Sequence, residues 1–199
     1  MVTRILLSSG VALAFALVTL HGAADSRQAA DAFARKIALI AASGLEGQPP
    51  SARRTPITET ELNSWFTYHA QPLLPEGLTQ PKVTIVGGGK VMGAATVDLE
   101  AIGKRRGSGS ALDVWSYLGG RVPVTVTGVL HTKNGQGRFE LQAADVSGVP
   151  LPKTLLQELV SYYSRTPDHP QGVRLDDAFE LPANIRQIEI GQGQAVVVQ

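Results

Sequence analysis

Apolar side chains recur at helical spacing near the start of the chain. Ala30, Phe33, Ala34, Ile37, Ile40 and Ala41 form one stripe, and Asp31, Arg35 and Lys36 sit off it. Asp25 or Ser26 can cap this helix, which is expected to run to about Ser43 with Gly44 as its stop. A polar linker follows over 45–56, with Pro49-Pro50 and Arg53-Arg54. Thr58 and Glu61 then make an S/T-x-x-E capping box, in which each side chain accepts from the other's backbone amide. Ile57 and Leu62 occupy the staple positions on either side. Leu62, Trp65, Phe66 and His69 line one face of this second helix, and Pro72 and Pro75 end it.

The pattern then changes to alternation. Val83 and Ile85 share a strand face before Gly87-Gly88-Gly89, and Val91, Ala95, Val97 and Leu99 alternate after it. A three-residue loop pairs 86 with 90 and 85 with 91, which sets the apolar faces together. Arg105 to Ser110 reads as a flexible basic stretch, and Leu112, Trp115 and Leu118 as a short helix ending at Gly119-Gly120. In a longer hairpin, Val122, Val124, Val126 and Leu130 share a face, as do Phe139, Leu141 and Ala143. Asn134-Gly135 signals a type I′ turn. A two-residue loop there pairs Leu130 with Phe139 and Val126 with Ala143, and a four-residue loop pairs Leu130 with Leu141. Pro152 suits the first turn of another helix, striped by Leu155, Leu156, Leu159, Val160 and Tyr163. Leu175 and Phe179 mark a short extended segment. Ile188 to Ile190, Gly191-Gln192-Gly193 and Ala195 to Val198 form a last hairpin, whose apolar end is expected to be tied into a sheet. The fold class is therefore α+β: a curved, mostly antiparallel sheet of about five to seven strands against amphipathic helices.

Residues 1–24 carry Arg4, then an uncharged apolar stretch from Ile5 to Leu20, then small residues at Gly22-Ala23-Ala24. That order reads as a secretory signal cleaved near Ala24, which places the protein in the periplasm or outside the cell. The remaining 25–199 forms one α+β domain with a helix at 25–44, a linker at 45–56 and a core at 57–199. Lys and Arg number 18; loss of Arg4 leaves 17 against 17 Asp and Glu, a balance that argues against nucleic acid as a partner. There is no cysteine, which excludes disulfides, thiolate metal sites and cysteine nucleophiles.

Motifs for catalysis are sparse. Gly87-Gly88-Gly89-Lys90 lacks the spacing and the Ser or Thr of a phosphate loop, and reads as a turn. His69, His131 and His169 have no metal-ligand spacing, so neither a metal nor a cofactor is expected. His69 reads as a core-edge histidine with one hydrogen bond, and His131 as an exposed one. Asp176 and Asp177 are adjacent and on a strand would point to opposite faces. Arg53-Arg54 and Lys104-Arg105-Arg106 read as solvated loop charge, with peripheral contact to lipid headgroups as the other reading.

The order of elements carries a resemblance: a signal peptide, an amphipathic helix, Ile57-Thr58-Glu59-Thr60-Glu61-Leu62-Asn63, two hairpins, Val149-Pro150-Leu151-Pro152 before a helix, and a final hairpin. This resembles small bacterial envelope proteins related to tubular lipid-binding (TULIP-like) domains. The resemblance implies an antiparallel sheet wrapped on a long helix, with an apolar groove for acyl chains and no catalytic residues. The expected function is binding of a lipid or other apolar molecule between sheet and helices. Leu62, Trp65, Phe66, His69, Val126, Leu130, Phe139 and Leu141 are the expected lining. Two alternatives are an envelope scaffold or assembly factor that binds another protein, through a sheet edge for example, and a carboxylate-dependent hydrolase.

Overall fold

The computed structural model describes residues 25–45, 53–98, 120–163, 165 and 170–199. The expected signal segment, Leu99, the basic stretch at 104–110, the short helix at 112–118 and His169 lie outside the described residues.

The described chain is α+β, with three helices and nine strands in two antiparallel sheets. Helix α1 spans Arg27–Leu45, α2 spans Glu59–Tyr68 and α3 spans Lys153–Tyr163. The strands are β1 (Arg54–Thr58), β2 (Leu78–Gly87), β3 (Lys90–Asp98), β4 (Arg121–Lys133), β5 (Gln136–Val146), β6 (Val149–Pro150), β7 (Ala178–Glu180), β8 (Gln187–Ile190) and β9 (Gln194–Val198). The larger sheet runs β2-β3-β4-β5-β6 with β7 also on β5, and it does not close into a barrel. The smaller sheet runs β1-β9-β8. Among the described residues, no helix is long and apolar enough to cross a membrane.

Helix α1 starts as expected, with Ser26 Oγ accepting from the Ala29 amide at 3.1 Å. It does not stop at Gly44 but runs on to Leu45. Gly44 serves a close approach instead, because a Cβ there would lie 2.5 Å from the Ala183 Cα. The linker expected over 45–56 ends early, since Arg54 to Pro56 belong to β1 and pair with Val198 to Val196. This pairing joins distant parts of the chain and leaves no local sequence trace. Pro56 is tolerated because β1 is an edge strand.

The capping box forms as expected. Thr58 Oγ1 accepts from the Glu61 amide at 3.2 Å, and Glu61 Oε2 accepts from the Thr58 amide at 2.9 Å. Helices α1 and α2 then run antiparallel, fastened along their length. Ser26 N donates to Ser64 Oγ, Phe33 meets Trp65 edge to face at 5.7 Å, and Lys36 Nζ reaches Glu61 at 2.7 Å. Burial pushes the Glu61 carboxyl up, but Lys36 and the Thr58 amide outweigh it and hold the group below the usual range. A core of Ile40, Leu181, Ile185 and Val197 lies under the smaller sheet.

Both long hairpins depart from the simplest register by one residue. In the first, Gly87 pairs with Lys90 and Ile85 with Val91, so the turn is Gly88-Gly89 and Val86 is a bulge. The bulge preserves the apolar parity that a three-residue loop would have supplied. In the second, the two-residue Asn134-Gly135 turn pairs Leu130 with Phe139 as expected. A register shift then sets Gly128 against Leu141 and Thr127 against Ala143. Val126 therefore opposes Ala144, not Ala143; Ala144 is buried and Ala143 is exposed on the polar side.

Candidate functional site

The larger sheet has one polar and one apolar face, as an antiparallel sheet solvated on one side should. Registers define the apolar face in cross-strand rows. One row is Val83–Gly93–Val126–Ala144, the next is Ile85–Val91–Gly128–Leu141, and Leu130 faces Phe139 beside it. Ile85, Val122, Ala144 and Val146 are buried. Val91, Gly93, Val126, Leu130, Phe139 and Leu141 are only half-buried. The small residues on this face differ in what they admit. Gly128 accepts the Phe139 ring, since a Cβ there would sit 2.8 Å from Phe139 Cε1. At Gly93 no described atom lies within 4 Å of where a Cβ would stand.

Helix α2 packs against β2 and α1. It is attached to β2 by polar residues that look unremarkable in sequence. Asn63, 4% exposed, donates from Nδ2 to the Val83 carbonyl and accepts at Oδ1 from the Val83 amide, both at 2.8 Å. Glu59 Oε2 accepts from the Ile85 amide at 2.7 Å. The Gly193 amide donates to the Ile85 carbonyl, and its own carbonyl accepts from the Glu59 amide. These contacts occupy the edge of β2 and join the two sheets. The Thr58-to-Asn63 segment is thus a structural clamp.

The expected lining falls on two surfaces. Leu62, Trp65 and Phe66 are half-buried on α2, with Trp65 packed edge to face on Phe66 at 5.6 Å. His69 closes the helix, is exposed, and bonds Asp31 Oδ1 through Nε2 at 2.8 Å. Val126, Leu130, Phe139 and Leu141 share the sheet face on β4 and β5, with β3 between them and β2.

A cleft of about 700 Å³ opens where the β4–β5 hairpin meets β8, and sequence reasoning missed it. Leu130, the one expected lining residue there, shares it with His131, Lys133, Arg138, Ile188 and Glu189. Its walls are pinned together. Thr132 Oγ1 donates to the Ile188 carbonyl and accepts from the Ile188 amide, both at 2.9 Å. The Gly135 amide donates to the Arg186 carbonyl at 2.9 Å. His131 Nε2 pairs with Glu140 at 2.9 Å. Arg54 Nη1 donates to Glu189 Oε1 at 3.0 Å, and this hydrogen bond holds the carboxyl below its usual range. Lys133 and Arg138 are exposed, neither makes an ion pair among the described residues, and Glu180 lies opposite Gln136 on the same face.

The other candidates have plain roles. Arg53 donates to Ser43 Oγ at 2.6 Å, Lys153 pairs with Asp176 at 2.8 Å, and Arg174 with Asp177 at 3.8 Å. Among the described residues, no three His, Cys, Asp or Glu lie together as a metal site. No family model matches the chain, and neither a curated protein nor a solved structure does.

Proposed function

We propose that this is an exported, non-catalytic envelope protein that binds a lipid or other apolar molecule along the apolar face of its larger sheet. The observation that carries the reading is the half-exposed centre of that face. Val91, Val126, Leu130, Phe139 and Leu141 keep part of their surface accessible, and Gly93 leaves space between them. Contiguous apolar surface of this kind marks ligand grooves and interaction sites. An acyl chain laid across it would gain ~0.8 kcal/mol per methylene removed from water. The apolar residues of α2, which packs against β2 and α1, form the neighbouring wall.

Native mass spectrometry of the exported protein, purified without detergent, tests this directly. The expected result is a discrete added mass of lipid size that organic extraction removes. Gly93→Leu should prevent uptake and leave the thermal midpoint unchanged or higher, because a strand glycine is replaced where no described atom obstructs it. An apo mass that stays unchanged after exposure to a lipid extract would sink the proposal. Unfolding of Gly93→Leu would mean that the space is closed core.

A further inference from the structure

We propose that the β5 edge between β7 and β6 is a docking slot for a short extended segment of a partner polypeptide, apolar at alternate residues, which adds a strand on the backbone of Phe139 and Leu141. This goes beyond the lipid reading and does not depend on it. β7 pairs with Gln136 to Arg138, and β6 with Asp145 and Val146. Between them the outer edge of β5 from Phe139 to Ala143 has no strand beside it, a gap of about 17 Å at strand rise. The Gly135 carbonyl accepts from the Leu181 amide on this edge. By strand alternation Gly137, Phe139 and Leu141 turn their backbone groups the same way, away from β4. Among the described residues, nothing bonds the amides and carbonyls of Phe139 and Leu141 on this side.

Elsewhere, side chains block the backbone groups that the sheet edges present. On β2, Asn63 takes both groups of Val83, and Glu59 takes the Ile85 amide. On β1, Lys36 Nζ takes the Pro56 carbonyl and Glu61 the Thr58 amide. On β8, Thr132 takes both groups of Ile188. An open edge is a template for another strand, and here it is left open beside blocked ones. The flanking side chains set the occupant's chemistry. Phe139 and Leu141 lie on the apolar face. Phe179, opposite Gly137, stands on that face at one end of the gap, and Val149, opposite Val146, at the other. Phe179 is 45% exposed and Val149 65%, so apolar side chains of an added strand would meet both. Glu140 and Gln142 are exposed on the polar side, which calls for polar residues in between. A second copy offering the same edge would bring its own β6 and β7 against these two strands. Five residues of edge also fall far short of the about 1,200 Å² of a stable interface between folded proteins. A single extended segment meets neither obstacle.

The test is amide hydrogen exchange, read by NMR on the full protein, alone and with the end-capped peptide Lys-Thr-Val-Thr-Val-Thr-Lys at about 1 mM. In the free protein the Phe139 and Leu141 amides should exchange rapidly, while that of Glu140, turned towards β4, is protected. The peptide should slow exchange at Phe139 and Leu141 by at least about tenfold and leave Glu140 unchanged. N-methylation of the two valines, which removes the donors of an antiparallel match, should abolish binding; N-methylation of the central threonine should not. Leu141→Pro loses only an N–H that faces the slot, so it should fold and fail to bind. Should that variant not fold, the methylated peptides still decide. Protection of Phe139 and Leu141 in the free protein would mean that its own chain fills the slot. Protection that rises with protein concentration would make a second copy the occupant. Either result overturns the proposal, as does absence of protection by the peptide or equal binding of both methylated forms. None of these measurements involves a lipid, so each leaves the lipid reading to its own test.

Discussion

Replacement of Asn63 by alanine is the sharpest test of the clamp between α2 and the larger sheet. The carboxamide of Asn63 makes both hydrogen bonds that a neighbouring strand would offer Val83. Alanine removes both and leaves the Val83 amide and carbonyl facing a small apolar side chain. Two such bonds contribute about 1 kcal/mol each, and an unpaired buried group costs about 1–3 kcal/mol. Asn63 is 4% exposed and Val83 is half-buried, so water can repay part of this, and the expected loss is about 2–4 kcal/mol. For a chain of this size that lowers the thermal midpoint by about 5–15 °C. Urea unfolding should give the same loss from the midpoint with an unchanged slope. Hydrogen exchange should show faster exchange at the Val83 amide specifically. A loss below about 0.5 kcal/mol, the range of ordinary surface substitutions, would refute the reasoning, because the β2 edge would then be satisfied by solvent.

Three further outcomes are expected. Gly44→Ala should destabilise by about 1–2 kcal/mol in urea unfolding, because overpacking against the Ala183 backbone exceeds the helix-propensity gain; stabilisation would mean the α1 end is free to move. Glu61 has a folded pKa below its unfolded value, so its stabilisation is complete above the unfolded value and is lost as pH falls through the folded one. Unfolding free energy should therefore decline in acid below the usual carboxylate range, and less steeply in Glu61→Gln; parallel curves would refute the role assigned to the Lys36 pair. Thr132→Val keeps the side-chain shape and removes both bonds to Ile188, so it should cost about 1–3 kcal/mol and raise exchange at the Ile188 amide. An unchanged exchange rate there would separate β8 from β4.

Features encoded within a few residues could be read directly. The Thr58–Glu61 box, the Asn134-Gly135 turn and the anchoring of the terminal valines follow from local chemistry. Features that need two distant segments could not. Arg54 to Pro56 have no strand periodicity of their own and become a strand because β9 accepts them. Gly44 reads as a helix stop until Ala183 is placed against it. The Thr127/Gly128 irregularity carries no motif, yet it decides which of Ala143 and Ala144 faces the core. Asn63 left no such signal, because its need for partners follows from a burial that only the packing of α2 on β2 creates. The cleft where the β4–β5 hairpin meets β8 was half legible: the turn length puts His131 beside Arg138, but the bonds between Thr132 and Ile188 depend on the second sheet.

The pairing of Arg54–Thr58 with Gln194–Val198 bears on the order in which the chain can acquire structure. β9 is the middle strand of its sheet, so neither β1 nor β8 has that neighbour until residues 194–198 are available. The Ile40, Leu181, Ile185 and Val197 core likewise draws on both ends of the described chain. Closing so long a loop is entropically costly and slow, and it cannot begin while synthesis is under way upstream. Helices α1 and α2 can meet early, because their partners are close in sequence, but they have only half a scaffold to rest on. The smaller sheet therefore stays incomplete, with β1 and β8 lacking their shared neighbour, until residues 194–198 are in place.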